Sequence, residues 1–256
     1  KMVADATAKV RESGKYGLLA HAECRPAEAA AKGMQSAIAL AETAKCRLHL
    51  THVSTAREVE IFTKAKKAGM PVTADTTPNY LFLSQSHLTR EGNYLKVNPP
   101  IRSENERKAI FSALASGAFD IVATDHAPHL KTEKEKPFWD APSGMPGVET
   151  MLPLLLNEAS KGAVSLGRVM QAVCENPAKL LELNKGEIAV GKDADFAIVD
   201  LGKEWTIRDE LMHTKCGWTP FNGISVKGKV EKTLVRGNLV FDGEICEGRA
   251  IGKCVY

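Results

Sequence analysis

The sequence predicts an α/β fold built on a parallel sheet or barrel, followed by a smaller β-rich region. Strands alternate with helices four times between residues 16 and 126, which is typical of parallel α/β folds. Two long loops, 78–103 and 127–146, interrupt this alternation, and connections of that length usually carry function. After Leu183 the chain becomes rich in turns and in β-type residues. We therefore expect two regions, 1–183 and 184–256.

The predicted elements begin and end at recognisable signals. Pro26 opens a long Ala-rich helix, because proline is favoured in the first helical turn. Ser103 and Glu106 form a capping box at the start of another helix. The predicted helices are 2–13, 26–45, 56–68, 104–116, 148–160, 165–175 and 177–182. The predicted strands of the first region are 16–21, 46–53, 70–77 and 119–126, and those of the second lie within 186–188, 193–201 and 230–243.

Composition excludes several classes of protein. The 256 residues are 44% hydrophobic and 25% charged, with a net charge of +3, so neither a disordered chain nor a nucleic-acid or membrane-surface partner is expected. No run of about 20 apolar residues occurs, and no secretory leader opens the chain. The six cysteines form no CxxC pair and are expected to be reduced thiols of a cytoplasmic protein.

Histidine and aspartate stand at the ends of the predicted strands. Active sites of parallel α/β folds lie at the carboxyl ends of the strands, where this chain places His21, His52, Asp75 and Asp125. Imidazole and carboxylate are zinc ligands, and zinc-bound water is acidic enough to supply hydroxide near neutral pH. A single histidine at a strand end is usually structural, but the convergence of His21, His52 and Asp125 favours a functional site. We predict His21, His52 and Asp125 as metal ligands, while Asp75 is left out because it can simply cap a turn.

Other catalytic signatures are absent from the sequence. It contains no GxSxG elbow, no GxGxxG or GxxxxGK[ST] phosphate loop, and no HExxH motif. His49 has the opposite strand parity to His52, so we expect it to point away from the site and to be structural.

Several motifs, taken together, resemble the dihydroorotases of the amidohydrolase superfamily. They are His21-Ala22-Glu23, His52-Val53-Ser54-Thr55, KVNPPIR at 96–102, ATDHAPH at 123–129, GMPGVET at 144–150, Asn176-Pro177-Ala178-Lys179, GKDAD at 191–195 and Trp218-Thr219-Pro220-Phe221. They cover nearly the whole chain in family order. Allantoinases and hydantoinases share some of them, but KVNPP with ATDHAPH favours dihydroorotase.

The resemblance implies a TIM-type (β/α) barrel of the metal-dependent hydrolase kind with a small β domain, and one or two zinc ions in its site. His21 and His52 match the histidines after the fifth and sixth strands, and Asp125 matches the aspartate after the eighth. Asn98, His129 and the Gly144 loop match substrate-binding positions. The reaction implied is the reversible conversion of dihydroorotate and N-carbamoyl-aspartate in pyrimidine biosynthesis, with Asp125 as the proton carrier.

The chain also departs from the family pattern. No two of its seven histidines are spaced i, i+2, so the family's HxH pair is missing, and Asn79-Tyr80 stands where the family has two histidines. We interpret residues 1–183 as strands five to eight of a barrel, and expect this chain alone to be inactive.

Two other functions stay open. One is an allantoinase- or hydantoinase-type cyclic amidase. The other is an inactive homologue that serves as structural partner of a transcarbamoylase. A homo-oligomer is also expected.

Overall fold

The computed structural model describes residues 1–88, 92–246, 248 and 251–254. The chain divides into two compact units. Unit 1 comprises Lys1–Met151 and Arg208–Asn222, and unit 2 comprises Leu152–Ile207 and Gly223–Tyr256. The predicted boundary near residue 184 stays a prediction.

Unit 1 alternates helices with short parallel strands. Its α-helices are α1 (Met2–Glu12), α2 (Leu18–Cys24), α3 (Ala27–Ala44), α4 (Ala56–Lys67), α5 (Pro78–Phe82), α6 (Glu104–Ala115) and α7 (Lys131–Lys134). Its strands are β1 (Leu48–Leu50), β2 (Val72–Thr76) and β3 (Ile121–Val122). Short 3₁₀ turns cover Gln85–His87, Gly92–Leu95 and Asp209–Leu211.

The three strands form one parallel sheet in the order β1-β2-β3. His49 pairs with Thr73, and Asp75 pairs with Ile121. The rings of Phe62, in α4, and Phe119, just before β3, lie 5.4 Å apart, and both side chains are buried. Because the strands are parallel, their carboxyl ends meet at one edge, and the chain leaving that edge carries the predicted site.

The predicted strand 16–21 is wrong: these residues lead into helix α2. A short apolar run does not by itself separate strand from helix, and Leu18-Leu19-Ala20 are strong helix formers. Gly17 at the N-cap has φ +89°, a conformation that glycine adopts without steric cost. The helix buries Leu18, His21 and Cys24, which lie three residues apart on one helix face.

Unit 2 contains helices and an antiparallel sheet. Its helices are α8 (Met151–Ser160), whose first residue belongs to unit 1, α9 (Leu166–Met170) and α10 (Asn176–Leu180), with a π-helical turn at Gln171–Glu175 between the last two. Strands β4 (Phe196–Thr206), β5 (Ser225–Val235) and β6 (Asn238–Asp242) are paired in sequence order. Arg236 and Gly237, both with positive φ, form the tight turn between β5 and β6.

All six cysteines are free thiols. Among the described residues, no helix combines the length and apolar character needed to cross a bilayer.

Candidate active site at the ends of the parallel strands

Asp75 organises the carboxyl ends of β1 and β2. The side chain of Asp75 is only 6% exposed. One oxygen, Oδ1, accepts a hydrogen bond from the His52 backbone N–H at 2.6 Å, and Oδ2 lies 2.9 Å from His49 Nε2. The other ring nitrogen of His49 lies 2.8 Å from the Thr73 hydroxyl. Asp75 therefore fixes the chain at the point where β1 turns toward the site.

The expectation that His49 points away from the site is wrong. It assumed that alternation continues from residue 49 to residue 52, but β1 ends at Leu50 and His52 has φ +44°. A left-handed residue breaks the alternation of a strand. His49 bonds to Asp75, which in turn acts on Asp125.

Asp125 lies beyond β3 with a second left-handed backbone, φ +47°. Burial raises the pKa of its carboxyl above the usual value; His52 opposes this rise, and the Asp75 carboxylate adds to it. Two non-glycine residues in this sparsely populated region, both at strand ends, are typical of functional sites. We call His49, His52, Asp75 and Asp125 the acidic corner.

Two side chains of the acidic corner keep lone pairs that no described residue uses. Within the described ranges, neither the His52 ring nor the Asp125 carboxylate accepts a hydrogen bond, whereas both oxygens of Asp75 are occupied. Zinc takes four ligands, of which a catalytic site supplies at least three from protein. In the part of the chain that the structure describes, no group of three or more His, Cys, Asp or Glu side chains could hold a metal ion. These residues alone therefore do not fit a complete zinc site.

His21 occupies a different environment, inside α2 and only 3% exposed. Its Nε2 lies 3.0 Å from the Val97 carbonyl oxygen, and its Nδ1 lies 3.3 Å from the Arg25 guanidinium. A guanidinium only donates, so Nδ1 accepts and Nε2 carries the proton. Burial lowers the pKa of His21 to about 4. Both ring nitrogens are thus committed, and the structure does not gather His21 with His52 and Asp125 around one metal position. Its role as a ligand stays a prediction.

The predicted substrate contacts lie near one another. Gly144 has φ +144°, and a Cβ there would lie 2.5 Å from the Ala127 carbonyl oxygen and 3.1 Å from the His129 ring. Its N–H donates to the Lys96 carbonyl at 2.8 Å, two residues before Asn98, whose side chain is exposed. The His129 carbonyl accepts a hydrogen bond from Trp218 Nε1 at 2.7 Å. Only glycine permits this close approach at residue 144, so the sequence itself fixes the contact.

Three buried residues beside the site were not predicted. Tyr80 donates its hydroxyl proton to the Pro99 carbonyl at 2.7 Å, and burial, with Asp125 nearby, raises its pKa. Lys96 and Lys134 are buried among backbone carbonyls. The only signal for Tyr80 was its place at a departure from the family pattern, and lysine in a loop gives no sequence signal of burial.

Comparison with known proteins identifies relatives of this chain. The model of the amidohydrolase family matches residues 4–240. A dihydroorotase of Halobacterium salinarum is 44% identical over 221 residues, which are 86% of this chain and 51% of that protein. A dihydroorotase of Pyrococcus furiosus is 36% identical over 229 residues, 90% of this chain and 53% of that protein. The chain thus spans about half the length of the curated relatives it matches.

Solved structures give a second set of relatives. The L-hydantoinase (dihydropyrimidinase) from Arthrobacter aurescens superposes with a TM-score of 0.92 at 32% identity, covering 96% of this chain and 56% of that chain. The D-hydantoinase (dihydropyrimidinase) from Thermus sp. superposes with a TM-score of 0.93 at 28% identity, covering 98% and 57%.

Proposed function

The chain belongs to the amidohydrolase family, as its motifs predicted, and from this premise we propose that it forms part of an enzyme that hydrolyses cyclic amides. The substrate we propose is dihydroorotate, converted reversibly to N-carbamoyl-aspartate in pyrimidine biosynthesis. The observation that carries this proposal is the Asp125 carboxylate, free of hydrogen bonds among the described residues and half-buried beside His52. The names of the curated relatives support the choice of substrate.

The parallel sheet is proposed to be the second half of a TIM-type barrel. In that assignment β1, β2 and β3 correspond to strands six, seven and eight, and α2 occupies the place of strand five. Residues 184–256 form the small β domain of the proposal. The unused lone pairs of the His52 ring and the Asp125 carboxylate support a zinc site that is completed by ligands from a further segment. The curated relatives, which are about twice as long as this chain, support the same proposal.

Asp125 is the proton carrier in the proposed reaction. A water molecule attacks the ring carbonyl carbon and passes a proton to the Asp125 carboxylate. The ring C–N bond then breaks, and Asp125 returns that proton to the departing nitrogen. One carboxylate serves both steps because base and acid catalysis need the same position in opposite directions. Burial, which raises the pKa of Asp125, favours the protonated form between the two steps.

Asn98, His129 and the backbone of Gly144 are proposed to hold the substrate. Their contribution is orientation, since a correctly placed ring carbonyl lowers the barrier without any covalent role for these residues. His129 is 30% exposed and lies 3.7 Å from the Glu133 carboxylate, so it is open to a ligand on one side.

A substrate panel tests the proposal on the longer protein proposed above, in which this chain is joined to the further segment. Dihydroorotate, hydantoin and allantoin are offered separately, and the expected result is a clear preference for dihydroorotate, measured as the highest kcat/KM of the three. A preference for hydantoin would instead establish the hydantoinase-type alternative, to which the names of the solved relatives point. No turnover of any cyclic amide would favour the inactive homologue that supports a transcarbamoylase.

His129→Ala sharpens the substrate assignment. We expect the KM for dihydroorotate to rise about tenfold, while kcat changes less, because the interaction lost is one of binding. Dihydrouracil, which lacks the carboxylate, serves as the control substrate, and its KM should stay unchanged. An equal rise for both substrates would remove His129 from carboxylate recognition.

A further inference from the structure

Lys134, the last residue of α7, is 1% exposed, and its hydrogen bonds to the described residues all go to backbone carbonyls. Its ammonium donates to three carbonyl oxygens, those of Lys96 at 3.1 Å, Pro142 at 2.9 Å and Gly144 at 3.0 Å. An ammonium has three protons, so all its donors are used. The three carbonyls come from two segments that are separated by more than 40 residues, and Lys134 joins them.

Lys96 makes similar contacts, but it reaches from the 96–100 segment to the loop 137–146. It is 7% exposed, and its ammonium donates to the carbonyls of Phe138 and Ala141, both at 2.6 Å. It also lies 4.7 Å from the centre of the Phe138 ring, a cation–π distance. One lysine therefore reaches from α7 to the 96–100 segment, and the other reaches from that segment to the loop 137–146.

Neither ammonium has a hydrogen-bonded carboxylate among the described residues, although the Asp140 carboxylate acts on Lys96 without bonding to it. Burying a cation without a counter-ion is costly unless dipoles replace its water shell. Five backbone carbonyls supply those dipoles here, and they can do so only while the loop keeps this conformation. The charge of the lysines and the shape of the loop therefore depend on each other.

The loop so held is the one that carries Gly144. The Gly144 N–H donates to the same Lys96 carbonyl that Lys134 binds, and the Ala127 N–H donates to the Met145 carbonyl at 3.0 Å. These bonds attach the loop to the DHAPH segment (residues 125–129) on one side and to the 96–100 segment on the other. The three predicted substrate contacts, Asn98, His129 and Gly144, lie on the three segments so joined.

We propose that Lys134 and Lys96 are positioning residues that hold the loop 137–146 against the 96–100 segment, and so set the spacing of Asn98 and Gly144 for substrate. The hydrogen bonds alone support the claim that the two lysines fix the distance between the segments. The claim that this distance serves substrate binding rests on the proposed function. An ion pair would have held the loop at one point only. Lysines bonded to several carbonyls fix the path of the backbone itself.

Hydrogen exchange measured by mass spectrometry on the full chain tests the holding role without any activity. In Lys134→Met, amides of residues 137–147 should exchange at least about tenfold faster than in wild type, because local opening no longer breaks three charge-assisted bonds. Lys131→Met is the matched control: it lies in the same helix, is 48% exposed and makes one ion pair with Asp209 at 3.4 Å. That control should exchange like wild type.

Lys134→Arg is the second variant, and it keeps the charge and several donors. It should restore much of the protection that Lys134→Met loses. If Lys134→Met does not fold, hydrogen exchange in the wild-type protein still tests the proposal. The Gly144 amide must exchange slowly in the wild type, although it lies outside helices and strands. Fast exchange of this amide in wild type, or unchanged exchange in a folded Lys134→Met, would overturn the proposal.

Kinetics on the longer protein test the purpose of the spacing. Lys134→Met should raise the KM for dihydroorotate by about tenfold or more, with a smaller change in kcat, since displaced binding groups lose orientation first. A looser loop with an unchanged KM would overturn the assignment to substrate positioning. A wild-type protein without dihydroorotate turnover would refute the proposed function instead, and the exchange result would then stand by itself.

Discussion

The acidic corner and the cluster of His21, Arg25, Lys96 and Lys134, which we call the basic corner, differ in how their polar atoms are used. In the acidic corner the His52 ring and the Asp125 carboxylate accept no hydrogen bond from the described residues. In the basic corner both nitrogens of His21 and all three protons of Lys134 are engaged.

The charges of the two corners are also opposite. Burial raises the pKa of Asp125, and it lowers the pKa of His21, Lys96 and Lys134. Burial thus disfavours the charged form in both places. Only the acidic corner keeps lone pairs available, so it is where chemistry can be done, while the basic corner shapes the chain around it.

Asp125→Asn is expected to have the largest effect. Asparagine has nearly the same shape but accepts no proton at neutral pH, so turnover of dihydroorotate by the longer protein should fall by at least the ~10²–10⁴-fold typical of a general base. The fold should persist, since no hydrogen bond to this carboxylate is made by the described residues. Circular dichroism and metal content are measured beside the rate, because asparagine is also a weaker ligand.

Glu23→Gln is the matched control for this change. Glu23 belongs to the HAE motif but is exposed and paired with Lys15 at 2.7 Å. Its loss should leave the rate near that of wild type. An Asp125 variant that kept full metal content and more than about a tenth of the rate would remove the proton carrier from the mechanism.

The acidic corner was predictable from sequence because strand ends are predictable. The segments 46–53, 70–77 and 119–126 do contain β1, β2 and β3, and parallel pairing brings their ends together. Asp75 was left out of the predicted ligands, but its bonds to His49 and His52 were not predicted, because a carboxylate that bonds a backbone N–H and one that binds a ligand look alike in sequence. Its role depends on His52 leaving the strand with a positive φ, which pairing cannot predict.

The basic corner was less predictable because its contacts are long-range and involve backbone carbonyls. Lys134 reaches Lys96 across 38 positions of sequence, and no periodicity encodes that contact. His21 was assigned to a strand end from a short apolar run, whereas helix propensity prevailed. What the sequence did indicate was Gly144, since a glycine in a functional loop points to a close backbone approach.

A stability comparison of His21→Asn with His52→Asn tests whether the corners divide as described. His21→Asn should lower the free energy of unfolding by about 1–3 kcal/mol, the usual cost of leaving a buried partner such as the Val97 carbonyl unpaired. His52→Asn should change it by no more than about 0.5 kcal/mol, because the ring bonds to no described residue and asparagine tolerates φ +44°. Urea denaturation of the full chain measures both. Equal losses would show that the His52 ring stabilises the fold, and the contrast would fail.

The pH dependence of stability is the smallest expected effect, and it concerns Lys134. Burial lowers the pKa of Lys134 from 10.5 to about 8 in the folded protein, and the nearby Lys96 charge adds to this. Between these two pH values the unfolded chain binds more protons at this residue than the folded chain does. Stability contributed by Lys134 must therefore rise as the pH increases from about 8 toward 10.5.

Lys134→Met removes this contribution, so the difference in unfolding free energy, wild type minus variant, should increase with pH across that window. The increase is small because a neutral amine keeps two N–H donors for the three carbonyls of Lys96, Pro142 and Gly144, which offsets part of the gain. Urea denaturation at pH 7.5, 9 and 10.5 gives the difference, and Lys131→Met, measured in parallel, should show no such trend. A difference that falls with pH would mean that Lys134 is stabilised as a cation in the folded protein. The carbonyl dipoles would then outweigh the cost of burial, and burial would not disfavour the charged form in the basic corner as it does in the acidic corner.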